Sequence, residues 1–373
     1  KDHPMLNPEY VTVIAGGVVY EGWPKMSVTA GIEQAVREFT LETTERVGEW
    51  NFRVGTPIEI RANGDLLVRG YVNAYQGSGD ATTHRITIRG RGKGQDFVDC
   101  SAEHPTHEFE NQDPLKAARA LDHYGIGITA DVPLDAVPRM HVTPGESPWN
   151  FVERYLRPMG VTMMGEPDGS IRLTNASAAR GVYGILMEGQ NIKSWQVDHN
   201  DGSRHSKYIA RGQGRTGTGG SRLRVSRSAT DSGVRRRRTR VLANETDTDP
   251  DRAKKRAEHE RDRAAGKSVR GSVQTQGFRD MAGKLFTPNT LIYVHSPILM
   301  HLCREMLIES VKFSQDQSGS LTDLQLVDPR AYKGKGAGQG RGQASGRGGG
   351  SEDVNVDGVP DGSATDPAWT DGF

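Results

Sequence analysis

The chain has 373 residues, of which 34% are hydrophobic and 25% charged, and its formal net charge is +1. This length allows two or three domains with lean cores, and the near-neutral charge provides no global attraction to nucleic acid or acidic membranes. Two distant cysteines, Cys100 and Cys303, argue against a disulfide framework and for a reducing compartment, and no apolar run approaches the length of a membrane span.

Residues 10 to 91 read as strands. Val11 and Val13 alternate with polar neighbours, as do Phe39 and Leu41, and Ile58 and Ile60. "IEIRANGDLLVRGYV" is a hairpin pattern in which Asn63-Gly64 supplies the two left-handed residues of the turn. "HRITIRG" adds a further strand carrying Ile86 and Ile88. Short strands joined by turns suggest a small barrel or sandwich. The segment "ITIRGRGKGQDFVDCS" poses a question, because a strand, a Gly-rich loop and a helix build many phosphate sites. Gly92-Lys93 is followed by Gly94, and Thr87 stands where a phosphate loop needs its first glycine. Gln95 stands where a dinucleotide fingerprint needs its third. The loop therefore reads as a corner from a strand into a short helix.

Residues 101 to 180 read as a small α+β module. Asp113-Pro114 and Ser147-Pro148 each place a capping side chain ahead of a proline at the first helical position. Leu115, Ala118, Leu121 and Tyr124 then recur at helical spacing, with Gly125 as the stop; Trp149, Val152, Leu156 and Met159 form a second stripe that Pro158 ends. "VTMMGEPDGSIRLT" reads as a hairpin turning at Pro167-Asp168-Gly169.

Strands resume over 182 to 210, with Trp195, Val197, Tyr208 and Ile209. Residues 211 to 240 hold ten arginines and one acid, Asp231, among Gly, Ser and Thr, and read as a long flexible loop. The run Arg235, Arg236, Arg237 and Arg238 is a candidate partner contact. A helix follows over 249 to 266, polar on all sides and thus solvent-facing or ordered by a partner. Residues 268 to 328 return to strands. From 333 to 373 the chain is Gly-rich, and a disordered tail is expected.

A repeat is visible between "TPIEIRANGDLLVRGYVNAY" (56 to 75) and "TPNTLIYVHSPILMHLCREMLIESVKF" (287 to 313), with Ile86 and Ile88 set against Leu324 and Leu326. The pattern implies a mainly β, α+β chain. Two similar tube-type β-barrel domains, 1–100 and 181–332, flank the α+β module 101–180, and the Arg-rich loop and the polar helix are inserted in the second barrel. His104, His107, His199 and His205 lack metal-ligand spacing and read as surface residues; Cys100 and Cys303 read as inert core thiols. No nucleophile elbow or carboxylate pair stands out, so neither catalytic residues nor a cofactor is expected.

Three stretches resemble one family. Gly70-Tyr71-Val72 with Gly90-Arg91-Gly92-Lys93 and Asp96-Phe97-Val98-Asp99-Cys100-Ser101 is similar to the first barrel of baseplate hub proteins of contractile-tailed phages, the Mu-like group related to tail protein D. "ESPWNFVERYLRPMGV…DGSIRLT" is similar to its middle, and Glu305 to Val311 with Leu326 to Tyr332 to its end. The resemblance implies a structural, non-enzymatic virion protein of the tail baseplate, assembled in the host cytoplasm. It implies a homotrimer whose six barrels form a pseudo-six-fold ring between the tail tube, or a tube-initiator protein, and the central spike. Surrounding baseplate proteins would be further partners; no membrane contact is implied, and nucleic acid would meet it only as passing genome. Two alternatives stay open, a peptidoglycan-degrading tail hydrolase and a DNA-binding protein using the Arg-rich loop.

Overall fold

The computed structural model describes residues 9–43, 52–80, 84–176, 184–214, 224–243, 249–296 and 304–332. The first module contains β1 (Val11–Ala15), β2 (Val18–Tyr20), β3 (Lys25–Gly31) and β4 (Glu38–Thr43). A meander follows, of β5 (Pro57–Ala62), β6 (Asp65–Gly79) and β7 (His84–Gly92). Period-two alternation drives these strands: Val11, Val13, Phe39, Leu41, Ile58, Ile60 and Ile88 are all buried. Asn63 (φ 48°) and Gly64 (φ 86°) make the β5–β6 turn that the sequence calls for.

Gly92 leads into α1 (Gln95–Asp99), so the glycine loop is a corner whose helix drives Phe97 into the next core. Then come β8 (Glu108–Gln112), α2 (Pro114–Ala120), β9 (Ile128–Ala130), β10 (Val137–His141), α3 (Pro148–Leu156), β11 (Thr162–Gly165) and β12 (Ile171–Thr174). Asp113 and Ser147 cap their helices by accepting the N–H of Lys116 and of Asn150. Helix α2 is shorter than its apolar spacing suggests. It stops at Ala120, Tyr124 is exposed, and the Asp122 carboxylate turns the chain by accepting the N–H groups of Ile126 (2.9 Å) and Gly127 (2.8 Å). Phe97, Phe109, Leu121, Phe151, Leu156 and Leu173 form the core of this α+β module.

The second module holds β13 (Ile185–Met187), β14 (Ile192–His199), β15 (Lys207–Gln213), β16 (Arg224–Thr230), β17 (Thr239–Ala243) and α4 (Pro250–Lys267). It ends with β18 (Val269–Gln276), β19 (Leu291–His295), β20 (Glu305–Asp316), β21 (Gly319–Val327) and a 3₁₀ turn, Pro329–Tyr332. Two expectations are corrected here. The Arg-rich stretch is not one long flexible loop: residues 211–213, 224–230 and 239–240 are strand, in a three-stranded sheet of order β16-β15-β17, while residues 215–223 lie outside the described residues. The polar helix is not solvent-facing all round, because Ala253, Ala257 and Ala264 bury against Tyr208, Ala210, Val225 and Ala229 of that sheet. Alanine and alternating serine carry little hydrophobic signal, so a two-layer unit with a small-residue interface reads as loop and solvated helix. The Gly-rich tail from 333 lies outside the described residues.

Thirteen strands form one sheet. Its main path runs β14-β18-β21-β20-β3-β4-β7-β6-β5-β1-β2, with β19 also on β20 and β13 on β19. The two modules are therefore joined edge to edge through β3 and β20, and Val13, Ile60, Val72 and Ile88 share one hydrophobic cluster with Val273, Val311, Leu324 and Leu326. The buried Glu9 side chain adds a polar joint, accepting from Asn63 Nδ2 at 3.0 Å and from the Phe278 N–H at 3.3 Å.

Arg37 ties the first module to the α+β module. It is 5% exposed and donates from Nε to the Gly165 carbonyl (3.1 Å) and from a terminal nitrogen to the Leu67 carbonyl (2.9 Å). Arg37→Ala strips both carbonyls of a charged donor and is expected to cost about 2 kcal/mol or more, read as a lower urea midpoint. Arg37→Lys cannot fork to both carbonyls and should recover only part of the loss.

Candidate assembly surface

The two meanders, β5-β6-β7 and β19-β20-β21, match in more than order. In each, the middle strand carries a β-bulge against the third strand. The register slips between Val72 and Ala74 opposite Gly90 and Arg89, and between Ile308 and Ser310 opposite Leu326 and Gln325. Asn73 and Glu309 are the extra residues. A bulge is a specific irregularity that unrelated β segments do not share in register by default. Both extra residues then use their side chains alike, on the short helical turn that follows the third strand. Asn73 Nδ2 donates to Gln95 Oε1 on α1 at 2.7 Å, and Glu309 accepts from the Tyr332 hydroxyl at 2.6 Å.

Aligning the bulges pairs Ile88 with Leu324 and Gly90 with Leu326. The sequence alignment of Ile86 and Ile88 with Leu324 and Leu326 is two residues out of this register, because a shift of two keeps the same strand face and leaves a period-two pattern unchanged. The equivalence extends outward through the sheet: β7 bonds β4 and then β3, and β21 bonds β18 and then β14. Phe39 lies opposite Gly90 in the first module, and Gly271 lies opposite Leu326 in the second. The large and small partners are exchanged between strands, so the pair volume is kept.

The two modules differ at one edge. Strand β20 is paired along both sides, with β21 throughout and, on its other side, with β19 near its start and β3 over Ser310–Gln315. Strand β6 has β5 beside its first half and β7 beside its second, but over 74–79 no described strand is laddered to its other side. All of residues 73–79 are exposed, Tyr75 by 55%. At the far end of the main sheet path, β14 bonds β18 along one side and has no second antiparallel neighbour among the described strands, and Trp195 there is 37% exposed.

The other candidate residues fall elsewhere. Arg235, Arg236 and Arg237 are exposed between β16 and β17, whereas Arg238 is committed internally, donating to the carbonyls of Asp201 (3.1 Å) and Gly202 (2.7 Å). His104 lies against the Phe109 ring at 4.2 Å, and among the described residues no three His, Cys, Asp or Glu side chains gather at metal-binding range. Cys100 is half-buried rather than a core thiol, and beside it the Tyr124 hydroxyl is pushed up to about 12, first through its hydrogen bond with Cys100; Cys303 lies outside the described residues. Asp131 and Glu166 share Arg172, at 3.4 and 2.7 Å, so these carboxylates are neutralised as an ion-pair cluster.

Three family models match the chain. They are the N-terminal domain of the Mu phage baseplate assembly protein GpP-like (residues 10–92), the second domain of the baseplate hub protein gp44-like (94–175), and the fourth domain of the Mu phage baseplate assembly protein GpP (249–335). The baseplate hub protein gp44 of Escherichia phage Mu is 25% identical over 337 residues, covering 86% of this chain and 88% of that protein. The crystal structure of the 43 kDa tail protein of prophage MuSo2 from Shewanella oneidensis superposes with a TM-score of 0.78 at 30% identity, covering 87% of this chain and 99% of that one. The tail protein from Neisseria meningitidis MC58 shares the fold, with a TM-score of 0.76 at 17% identity over 87% and 98% of the two chains.

Proposed function

Because the chain belongs to the Mu-like family of phage baseplate hub proteins, we propose that it is a structural adapter in which three copies form a pseudo-six-fold ring joining the tail tube to the central spike. The observation that carries this reading is the bulge-matched repeat. One chain contributes two equivalent strand units, so three chains offer six. A ring built this way can meet a six-fold tube on one face and a three-fold spike on the other without changing its covalent structure. Heterologous contacts close such a ring, and they cover the sheet edges that would otherwise template aggregation.

In this proposal, residues 1–100 and 181–332 supply the ring and the α+β module, 101–180, braces it or meets the spike. Arg235, Arg236 and Arg237 project from the inserted sheet and suit an acidic patch on a surrounding baseplate protein. The function requires no catalytic chemistry. Light scattering of the purified chain tests the proposal: a particle of three times 40.8 kDa is expected, and a monomer that persists at high concentration, with spike protein present or absent, would overturn it.

A further inference from the structure

We propose that the outer face of the inserted β16-β15-β17 sheet docks an extended acidic segment of a partner protein. Carboxylates of that segment meet the cations of the face, and an aliphatic side chain covers its centre. This rests on the reading that Arg235, Arg236 and Arg237 meet an acidic baseplate protein, and it names the surface and the chemistry of that contact. It does not depend on how many copies form the ring.

The face follows from strand alternation. Tyr208 and Ala210 of β15 and Val225 of β16 bury against α4, so Lys207, Ile209 and Arg211 point away from the helix, as does Arg224. Val241 of β17 lies opposite Ile209 and is 52% exposed. The face therefore has an aliphatic pair at its middle with cations around it, and none of the strand residues that share it is an acid. At one end Lys207 lies between Thr230 and Thr239, where the loop carrying Arg235, Arg236 and Arg237 leaves β16 and enters β17. Both ends of that loop are tied down. Asp231 accepts from Arg204 at 3.0 Å and from the Gly233 N–H at 2.9 Å, and the Arg238 N–H donates to Ser206 Oγ at 2.8 Å. A loop fixed in this way presents its arginines with little ordering left to lose on binding.

The charge on this face is not spent within the chain. Arg204 and Arg240 of the same layer pair with Asp231 at 3.0 Å and Glu260 at 3.1 Å. Lys207, Arg211, Arg224, Arg235, Arg236 and Arg237 reach no acid among the described residues. Guanidinium groups bind carboxylates through paired hydrogen bonds, and arginine clusters of this kind recognise acidic motifs. The Ile209–Val241 pair then selects among polyanions. A phosphate backbone or a layer of lipid headgroups would set charge and water against these aliphatic side chains, whereas an acidic peptide can bury them under an aliphatic side chain of its own. None of the described residues on the face is aromatic, so a nucleic-acid base finds nothing to stack on.

Fluorescence anisotropy with the full chain tests this, using labelled Asp-Val-Asp-Val-Asp-Val-Asp as the probe. The peptide should bind, and its affinity should fall at least about tenfold between about 50 and about 300 mM salt, because the contacts lie in solvent. A peptide with Ser in place of every Asp should not bind. Arg211→Ser with Arg224→Ser should weaken binding at least about tenfold, and Val241→Ser at least about threefold. The melting temperature should stay unchanged, because all three side chains are exposed. If Arg235→Ser, Arg236→Ser and Arg237→Ser together weaken binding and the sheet variants do not, the loop contact stands and the docking face is overturned. No peptide binding even at about 50 mM salt would overturn both. Tighter binding of duplex DNA or of phosphatidylglycerol vesicles, lost in the same sheet variants, would overturn the protein partner. In light scattering the variants should keep the mass of the parent particle; a changed mass would make this face a joint of the ring and overturn its role as a partner surface.

Discussion

Gly90→Ala is expected to lower the stability of the main sheet by about 3 kcal/mol or more. A Cβ at this position would stand 2.2 Å from Phe39 Cζ and 2.2 Å from the Tyr71 carbonyl oxygen. Neither contact can be relieved by swinging a flexible side chain. The phenyl ring is 2% exposed in the shared core, and the carbonyl belongs to the neighbouring strand next to the bulge. Equilibrium urea denaturation of the two chains measures the difference. Phe39→Leu added to Gly90→Ala removes the ring and should return about 1 kcal/mol or more relative to the sum of the single changes, because contacting residues couple. Strict additivity of the two changes would show that the Phe39–Gly90 exchange with Gly271–Leu326 is not a packing relationship.

The second large effect is expected at Ala257, which is fully buried where α4 crosses the β16-β15-β17 sheet. Ala257→Glu puts a carboxylate among Tyr208, Ala210 and Val225 in place of a fully buried methyl group, and it should cost about 3 kcal/mol or more of local stability. The loss should be confined to the inserted layer. Amide exchange would accelerate in β15, β16 and α4, and the ladder between β20 and β21 would stay protected. Lys255→Glu, on the exposed side of the same helix, should change stability by no more than about 0.5 kcal/mol. Equal effects at the two positions would contradict the docking of α4 on its own chain.

Much of this fold was legible because its main signals are local. Asn63-Gly64, the caps Asp113 and Ser147, and the alternation around Ile58, Phe39 and Leu324 each specify their element within a few residues. The inserted layer was not legible, because its interface is built from Ala210, Ala229, Ala253 and Ala257, whose small apolar area barely differs from a loop or a solvated helix. Tyr124 shows the reverse error: helical spacing was present, but the Asp122 carboxylate captured two backbone N–H groups and ended the helix first. The assembly surface was half visible. The repeat could be seen, yet its register depended on Asn73 and Glu309. A trace of the second bulge stands in the sequence, where Ile308, Glu309 and Ser310 put two polar residues between apolar positions that should alternate. Which edges stay open could not be read at all, since that is a property of the sheet order and not of any segment.

The central claim is that one chain supplies two equivalent units to a closed ring. Electron cryo-microscopy of the assembled particle, reconstructed without imposed symmetry, tests it most directly. The account requires three chains whose strand units repeat six times per turn. A ring with only three strand units per turn would contradict it.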